Sequence, residues 1–238
     1  MIRYGCCGFR SSRKKYFEMF NTVEVQQTFY QPPKIATLEG WRSEAPDGFE
    51  FTMKAWQLIT HEGKSPTYRR LKRELTDREI AEVGAFRPTA IVREGWETTR
   101  ACAEALGARR ILLQCPARFT PTPEHIENLR GFIGTIDRGD LILLWEPRGA
   151  AWTEELILAL CTELDLVHVV DPFAATSVTP ETPYYRLHGR TGFRYVYEDD
   201  ELSDLLSTIP RDAPSYVMFN NVRMAEDAAR FGRMARGN

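Results

Sequence analysis

Between residues 141 and 148 the chain reads Leu-Ile-Leu-Leu-Trp-Glu-Pro-Arg. A strand that alternates polar and apolar residues keeps one wet face. An unbroken apolar run has no wet face, so it belongs in a parallel sheet covered on both sides. Parallel strands are joined by long crossovers, usually helices. This stretch therefore commits the chain to strand–helix–strand units. Glu146 and Arg148 follow the run directly, at the C-terminal strand end where α/β folds keep their chemistry.

The same grammar recurs. Strands are expected over residues 2–8, 22–30, 49–55, 111–116, 141–145, 166–171, 184–189 and 216–221. Helices are expected over 16–20, 34–41, 94–106, 123–136, 152–164, 199–208 and 224–234. Gly107 caps one of these helices and Pro123 opens another. Residues 84–92 read as a loop, since Ala90-Ile-Val92 is short and close to Pro88. Eight alternating strands imply a parallel sheet with right-handed crossovers. The expected fold is therefore α/β, a TIM-type (β/α)8 barrel formed by residues 1–238 as one domain. An open doubly wound sheet is the alternative, but it lacks a Gly-x-Gly-x-x-Gly fingerprint.

Composition narrows the function classes. A net charge of −2 gives no whole-chain pull toward nucleic acid or membrane. Cys6, Cys7, Cys102, Cys115 and Cys161 are odd in number and irregularly spaced, which argues for packed thiols in a reducing compartment. No Cys-x-x-Cys pair suggests structural zinc. The start Met1-Ile-Arg-Tyr-Gly lacks a signal-peptide core, and no apolar run is long enough for a bilayer. A cytoplasmic protein with no membrane partner is expected.

Seven of the eight strands exit into polar residues: Glu24 and Gln26, Lys54, Gln114, Glu146 and Arg148, Asp171, Arg186 and His188, Asn220 and Asn221. One such residue is ordinarily a satisfied structural group. Seven strands doing it together is hard to explain as packing, because unpaired burial of polar groups costs free energy. In a barrel they converge on one mouth. His168, mid-strand, reads as a satisfied core histidine. The loops after strands one, three and seven carry +4, +4 and +3, so the rest of the chain carries −13. The cations are Arg10, Arg13, Lys14 and Lys15, then the excess over 61–73, then Arg186, Arg190 and Arg194. A solvated helix face is the plain alternative for 61–73. Basic loops over an acidic body favour an anionic substrate.

Several motifs together resemble the DUF72 family (YecE-like proteins), in its compact form. They are Phe20-Asn-Thr-Val-Glu-Val25 with Thr28-Phe-Tyr30, Phe49-x-Phe51-x-x-Lys54 with Thr60-His61, and Leu113-Gln114 with Pro116. Glu146-Pro-Arg148, Asp171-Pro172, Tyr185-Arg-Leu-His-Gly189 and Phe219-Asn-Asn221 complete the set. Gln26-Gln27 and Cys6-Cys7 depart from the family's usual Asn-Ser and Thr-Ser. The resemblance implies a barrel of the endonuclease IV and xylose isomerase kind. It does not imply a three-zinc cluster here, since only four histidines exist and His125 and His168 are poorly placed. A single divalent metal stays compatible with the residues.

Three functions compete. The first is a hydrolase acting on damaged or single-stranded nucleic acid, DNA or RNA, as a nuclease or glycosylase. Glu24, Glu146 and Asp171 would be its carboxylates and His61 and His188 its proton relays. Lys54 would be its charge stabiliser or amine nucleophile. Gln114, Arg148, Arg186, Arg190, Asn220 and Asn221 would grip substrate, and Tyr30 and Phe193 would stack on a base. The second is a hydrolase or isomerase of a sugar phosphate or other small anion, using the same residues. The third is a non-catalytic nucleic-acid or ligand-binding module. Oligomeric state is not legible.

Overall fold

The computed structural model describes residues 1–210 and 213–237. Eight strands close into a barrel in chain order, every neighbouring pair parallel. They are β1 (Ile2–Cys7), β2 (Thr22–Val25), β3 (Glu50–Lys54), β4 (Arg110–Gln114), β5 (Ile142–Glu146), β6 (Leu166–Val170), β7 (Tyr184–Leu187) and β8 (Ser215–Phe219). The helices are α1 (Arg13–Met19), α2 (Gln27–Tyr30), α3 (Ile35–Glu44), α4 (Gln57–Thr60), α5 (Asp77–Glu82), α6 (Ala90–Leu106), α7 (Pro123–Thr135), α8 (Glu154–Leu164), α9 (Asp199–Thr208) and α10 (Met224–Ala235). Among the described residues no helix is long and apolar enough to cross a membrane.

The unbroken apolar runs serve two cores at once. Leu143 and Trp145 of β5 face outward into the large cluster under the helices. Leu144 faces inward, with Cys7, Leu112, Val169, Tyr184, Tyr216 and Met218 in the barrel lumen. Cys6 and Cys7 fall on opposite sides of β1, as the two-residue period of a strand requires. The inward phase of the other strands carries Glu24, Lys54, Gln114, Glu146 and Arg186 toward the C-terminal ends.

The local map departs from the expectation at the end of the second strand, at the start of α6, and at α4 and α5, while the loop expected over 61–73 is present. The second strand stops at Val25. Gln26 is already αR, and residues 27–30 form α2. Thr28 Oγ1 sits 2.6 Å from the Lys54 carbonyl and 3.1 Å from that of Val25, so its hydroxyl competes with strand continuation. Ala90-Ile-Val92, expected in a loop, is the first turn of α6, behind the extended Thr89. The basic stretch 61–73 is a loop with one 3₁₀ turn at Pro66–Arg70, started by the Ser65 side chain. Helices α4 and α5 were not foreseen, though Thr76 and Glu79 make a full capping box at α5.

The β6–β7 connection, residues 171–183, carries no helix. Its own hydroxyls do the covering. Thr179 Oγ1 accepts from His168 N at 3.0 Å, Ser177 Oγ donates to His168 O at 3.2 Å, and His168 Nδ1 accepts from Val178 N at 3.2 Å. His168 is thus held on the outer face of β6, and burial lowers its pKa to about 4.

Candidate active site

The site is built around Arg186, inside the barrel and 1% exposed. Its Nε and Nη2 reach the Glu24 carboxylate at 2.9–3.2 Å, and its Nη1 donates to Glu146 Oε2 at 2.5 Å. Tyr184, two residues earlier on the same face of β7, donates to Glu24 at 2.9 Å and meets Thr52 Oγ1 at 2.7 Å. One guanidinium therefore links β2, β5 and β7 across the lumen. A buried charge is tolerable only when paired and hydrogen-bonded, as this one is. Burial opposes its charge, but the Glu146 and Glu24 charges hold its pKa well above normal.

Glu146 is the junction between this buried centre and the mouth. Its Oε1 accepts from Gln114 Nε2 at 3.1 Å and from Arg148 Nη2 at 2.7 Å, and lies 3.3 Å from His188 Nε2. Burial raises the carboxyl pKa, yet the Arg186 charge, the His188 hydrogen bond and the Arg148 charge together leave it well below the usual range. Glu146 is a standing anion at neutral pH, suited to orienting its neighbours and unsuited to donating a proton. His188 is the exposed partner, with Asn220 Nδ2 3.2 Å from its Nδ1. Asp171 Oδ2 accepts from the His188 backbone N at 2.8 Å and Oδ1 from Phe173 N at 3.1 Å, fixing the turn that carries the ring.

On the other side of Gln114 lies Lys54, whose Nζ donates to Gln114 Oε1 and sits 3.5 Å from the centre of the Phe29 ring. Burial, reinforced by the Arg186 charge, lowers its pKa to about 7, outweighing the pull of Glu146 and Glu24. His61 packs edge-on against Phe29 at 4.8 Å and bonds Thr60 Oγ1 through Nδ1 at 2.8 Å. Burial and the Lys54 and Arg148 charges push it down to about 3, so it is a neutral imidazole. Against Glu146 and His188, and not against Lys54, Gln114 or His61, opens a cavity of about 650 Å³, whose lining includes Arg148, Asp171, Phe193 and Asn220.

The strands thus bring Glu24, Lys54, His61, Gln114, Glu146, Arg148, Asp171, Arg186, His188 and Asn220 into one region. Three residues read as site members stand differently. Asn221 is fully buried and donates to Asp227 at 2.6 Å and to Tyr195 O at 2.8 Å, tying α10 to the loop after β7. Arg190 is exposed and paired with Glu201 at 2.7 Å. Tyr30 lies under the Arg70 guanidinium at 3.6 Å, on the rim. Tyr184 and Phe29 were missed as site residues. Tyr184 shares the phase of Arg186 and His188, a signal present in the sequence. The fold of α2 over Lys54, which places Phe29, left none.

The basic loops are partly neutralised. Arg13 pairs with Glu44, where α3 turns back toward β3, and Arg73 with Glu79 and Glu94. Among the described residues no three His, Cys, Asp or Glu converge as a metal site. The donor set does not fit a zinc cluster, since both buried carboxylates are taken up by arginine.

A family model described as "Protein of unknown function DUF72" matches residues 8–237. A DUF72 family protein from Enterococcus faecalis superposes with a TM-score of 0.76 at 21% identity, covering 99% of this chain and 96% of its own. One from Thermotoga maritima gives 0.73 at 21%, covering 99% of both chains. Endonuclease IV from Thermus thermophilus gives 0.56 at 12%, covering 99% of this chain and 97% of its own. No curated protein matches the sequence.

Proposed function

This chain belongs to the DUF72 family, and on that premise we propose that it is an enzyme acting on a phosphate-bearing substrate, damaged or single-stranded nucleic acid in the first instance. The observation that carries the reading is the connected row Lys54–Gln114–Glu146–His188, whose Glu146–His188 end lines an open cavity. A buried amine and a buried carboxylate with shifted proton affinities, joined through an amide and ending on a half-exposed imidazole, are what acid–base chemistry needs. Such a row is hard to account for as packing.

The roles follow from reach and charge. Arg148 and His188 are the partly exposed members, at 40% and 30% side-chain exposure. Arg148 offers a guanidinium to a phosphate. His188 is the general acid–base, its ring steered by Glu146 and Asn220 and its backbone by Asp171. Glu146, held ionised, stabilises the imidazolium formed when His188 takes a proton. Glu24 and Arg186 keep Glu146 in place and do not touch substrate. On the rim Arg70 over Tyr30 forms a flat platform for a base. The fold shared with endonuclease IV is compatible with this reading.

A small sugar phosphate is the second reading, favoured by the cavity volume, which is in the range of small-molecule sites. Binding of labelled single-stranded DNA across a salt series separates the two. Affinity that falls steeply with salt supports nucleic acid. Absence of salt-sensitive binding, with turnover of a phosphorylated metabolite, supports the second.

A further inference from the structure

We propose that Lys54 is an imine-forming amine, its Nζ adding to the carbonyl carbon of an aldehyde on the phosphate-bearing substrate. The inference rests on the reading above for the phosphate and adds the identity of the reacting carbon.

The chain has six lysines. Lys14, Lys15, Lys34, Lys64 and Lys72 are exposed, and Lys54 alone is buried. A buried lysine is ordinarily explained by a carboxylate partner. Here, among the described residues, no carboxylate oxygen comes within 4.0 Å of its Nζ. The two nearest acids, Glu24 and Glu146, are engaged by Arg186 and Arg148. Its hydrogen-bond partner is the neutral Gln114 carbonyl, and its other neighbours are the Phe29 face and the imidazole of His61. Two arginines and two glutamates therefore surround the amine with almost no net charge. An ammonium so placed sheds its proton readily, and the neutral amine is a nucleophile. An arginine could complete a charge network equally well, but could not form an imine.

The chemistry balances without a cofactor. The Nζ lone pair forms a bond to the carbonyl carbon, and an amine proton passes to the alkoxide, giving a carbinolamine. Protonation of its hydroxyl from solvent at the mouth releases water and leaves the iminium. Two sources present such a carbon beside phosphate: the ring-opened sugar of an abasic nucleic-acid site and a free phosphorylated aldose.

Borohydride trapping of the wild-type protein tests this, because hydride delivered to the iminium carbon makes the link permanent. One arm uses an oligonucleotide with an abasic site and the other glyceraldehyde 3-phosphate, each followed by peptide mass spectrometry. Lys54 is expected to carry the adduct in at least one arm, about tenfold or more above any other lysine at pH 7. Trapping is expected to rise through pH 7 and not near pH 10. Lys54→Arg, checked for folding by circular dichroism, removes the adduct. Labelling confined to exposed lysines, or no adduct in either arm, overturns the inference. Binding or cutting of the abasic strand without an adduct also overturns it, while leaving the reading of the mouth intact. An adduct with glyceraldehyde 3-phosphate but none with the oligonucleotide upholds the imine and rejects nucleic acid as its source.

Discussion

Lys54 is a buried amine held at a cost in stability. Its proton affinity falls from the ordinary 10.5 to about 7 on folding, through burial first and the Arg186 charge second. Between those two pH values the unfolded chain holds a proton that the folded chain has given up. Unfolding therefore takes up a proton, and the contribution of Lys54 to stability rises with pH across this window. At pH 7 and below, its burial is a net cost. Lys54→Met, close in length and apolar, is expected to stabilise the fold by about 3 kcal/mol at pH 7. Chemical denaturation at pH 7 and pH 10 checks this, because the gain should shrink toward the higher pH. A variant less stable than the parent at pH 7 would mean that Lys54 is held as a paired cation. That Glu24, Lys54, Gln114, Glu146 and Arg186 point inward was legible from the two-residue period of each strand. Which of them reach the mouth was not. Glu24 and Arg186 satisfy each other at depth, and that pairing joins residues 162 positions apart.

Elements explain where the pattern was read wrongly. Residues 22–30 have strand-forming composition throughout, yet the chain turns at Gln26 into α2. The Thr28 hydroxyl, 2.6 Å from the Lys54 carbonyl, makes the turn worthwhile by tying α2 to the end of β3. This tie places Phe29 beneath the Lys54 amine, so the local departure from strand builds half of the site. Thr28→Val keeps the shape and removes the donor. It is expected to cost about 1 kcal/mol and to lower turnover more than stability, read by denaturation beside activity. Unchanged activity at reduced stability would show α2 to be scaffold alone. The β6–β7 loop teaches the same lesson from the other side. Its hydroxyls cover β6 where a helix was the norm, a substitution that hydrophobic periodicity does not report.

Strand order, closure and parallel pairing were legible in the sequence, because unbroken apolar runs at regular spacing admit few other folds. The charge map was less so. The count of loop cations overstates the field at the mouth, since Arg13, Arg73 and Arg190 are paired with acids and Arg186 is internal. Binding to single-stranded DNA is accordingly expected to show a log–log salt slope of about −2 to −4, the release expected from roughly three to five phosphates. A slope near −8 would mean that the paired arginines exchange their partners for phosphate. The role proposed for His188, steered by Glu146 beside the cavity, is acid–base chemistry on a phosphate-bearing strand. Its most direct test is a gel assay with labelled single- and double-stranded DNA carrying uracil, an abasic site or no lesion. Each substrate is run with and without divalent metal, against parent and His188→Asn. Lesion-dependent cleavage by the parent is expected, reduced about a hundredfold or more in the variant while binding persists. Equal cleavage by both proteins, or no cleavage of any strand under any condition, would contradict it.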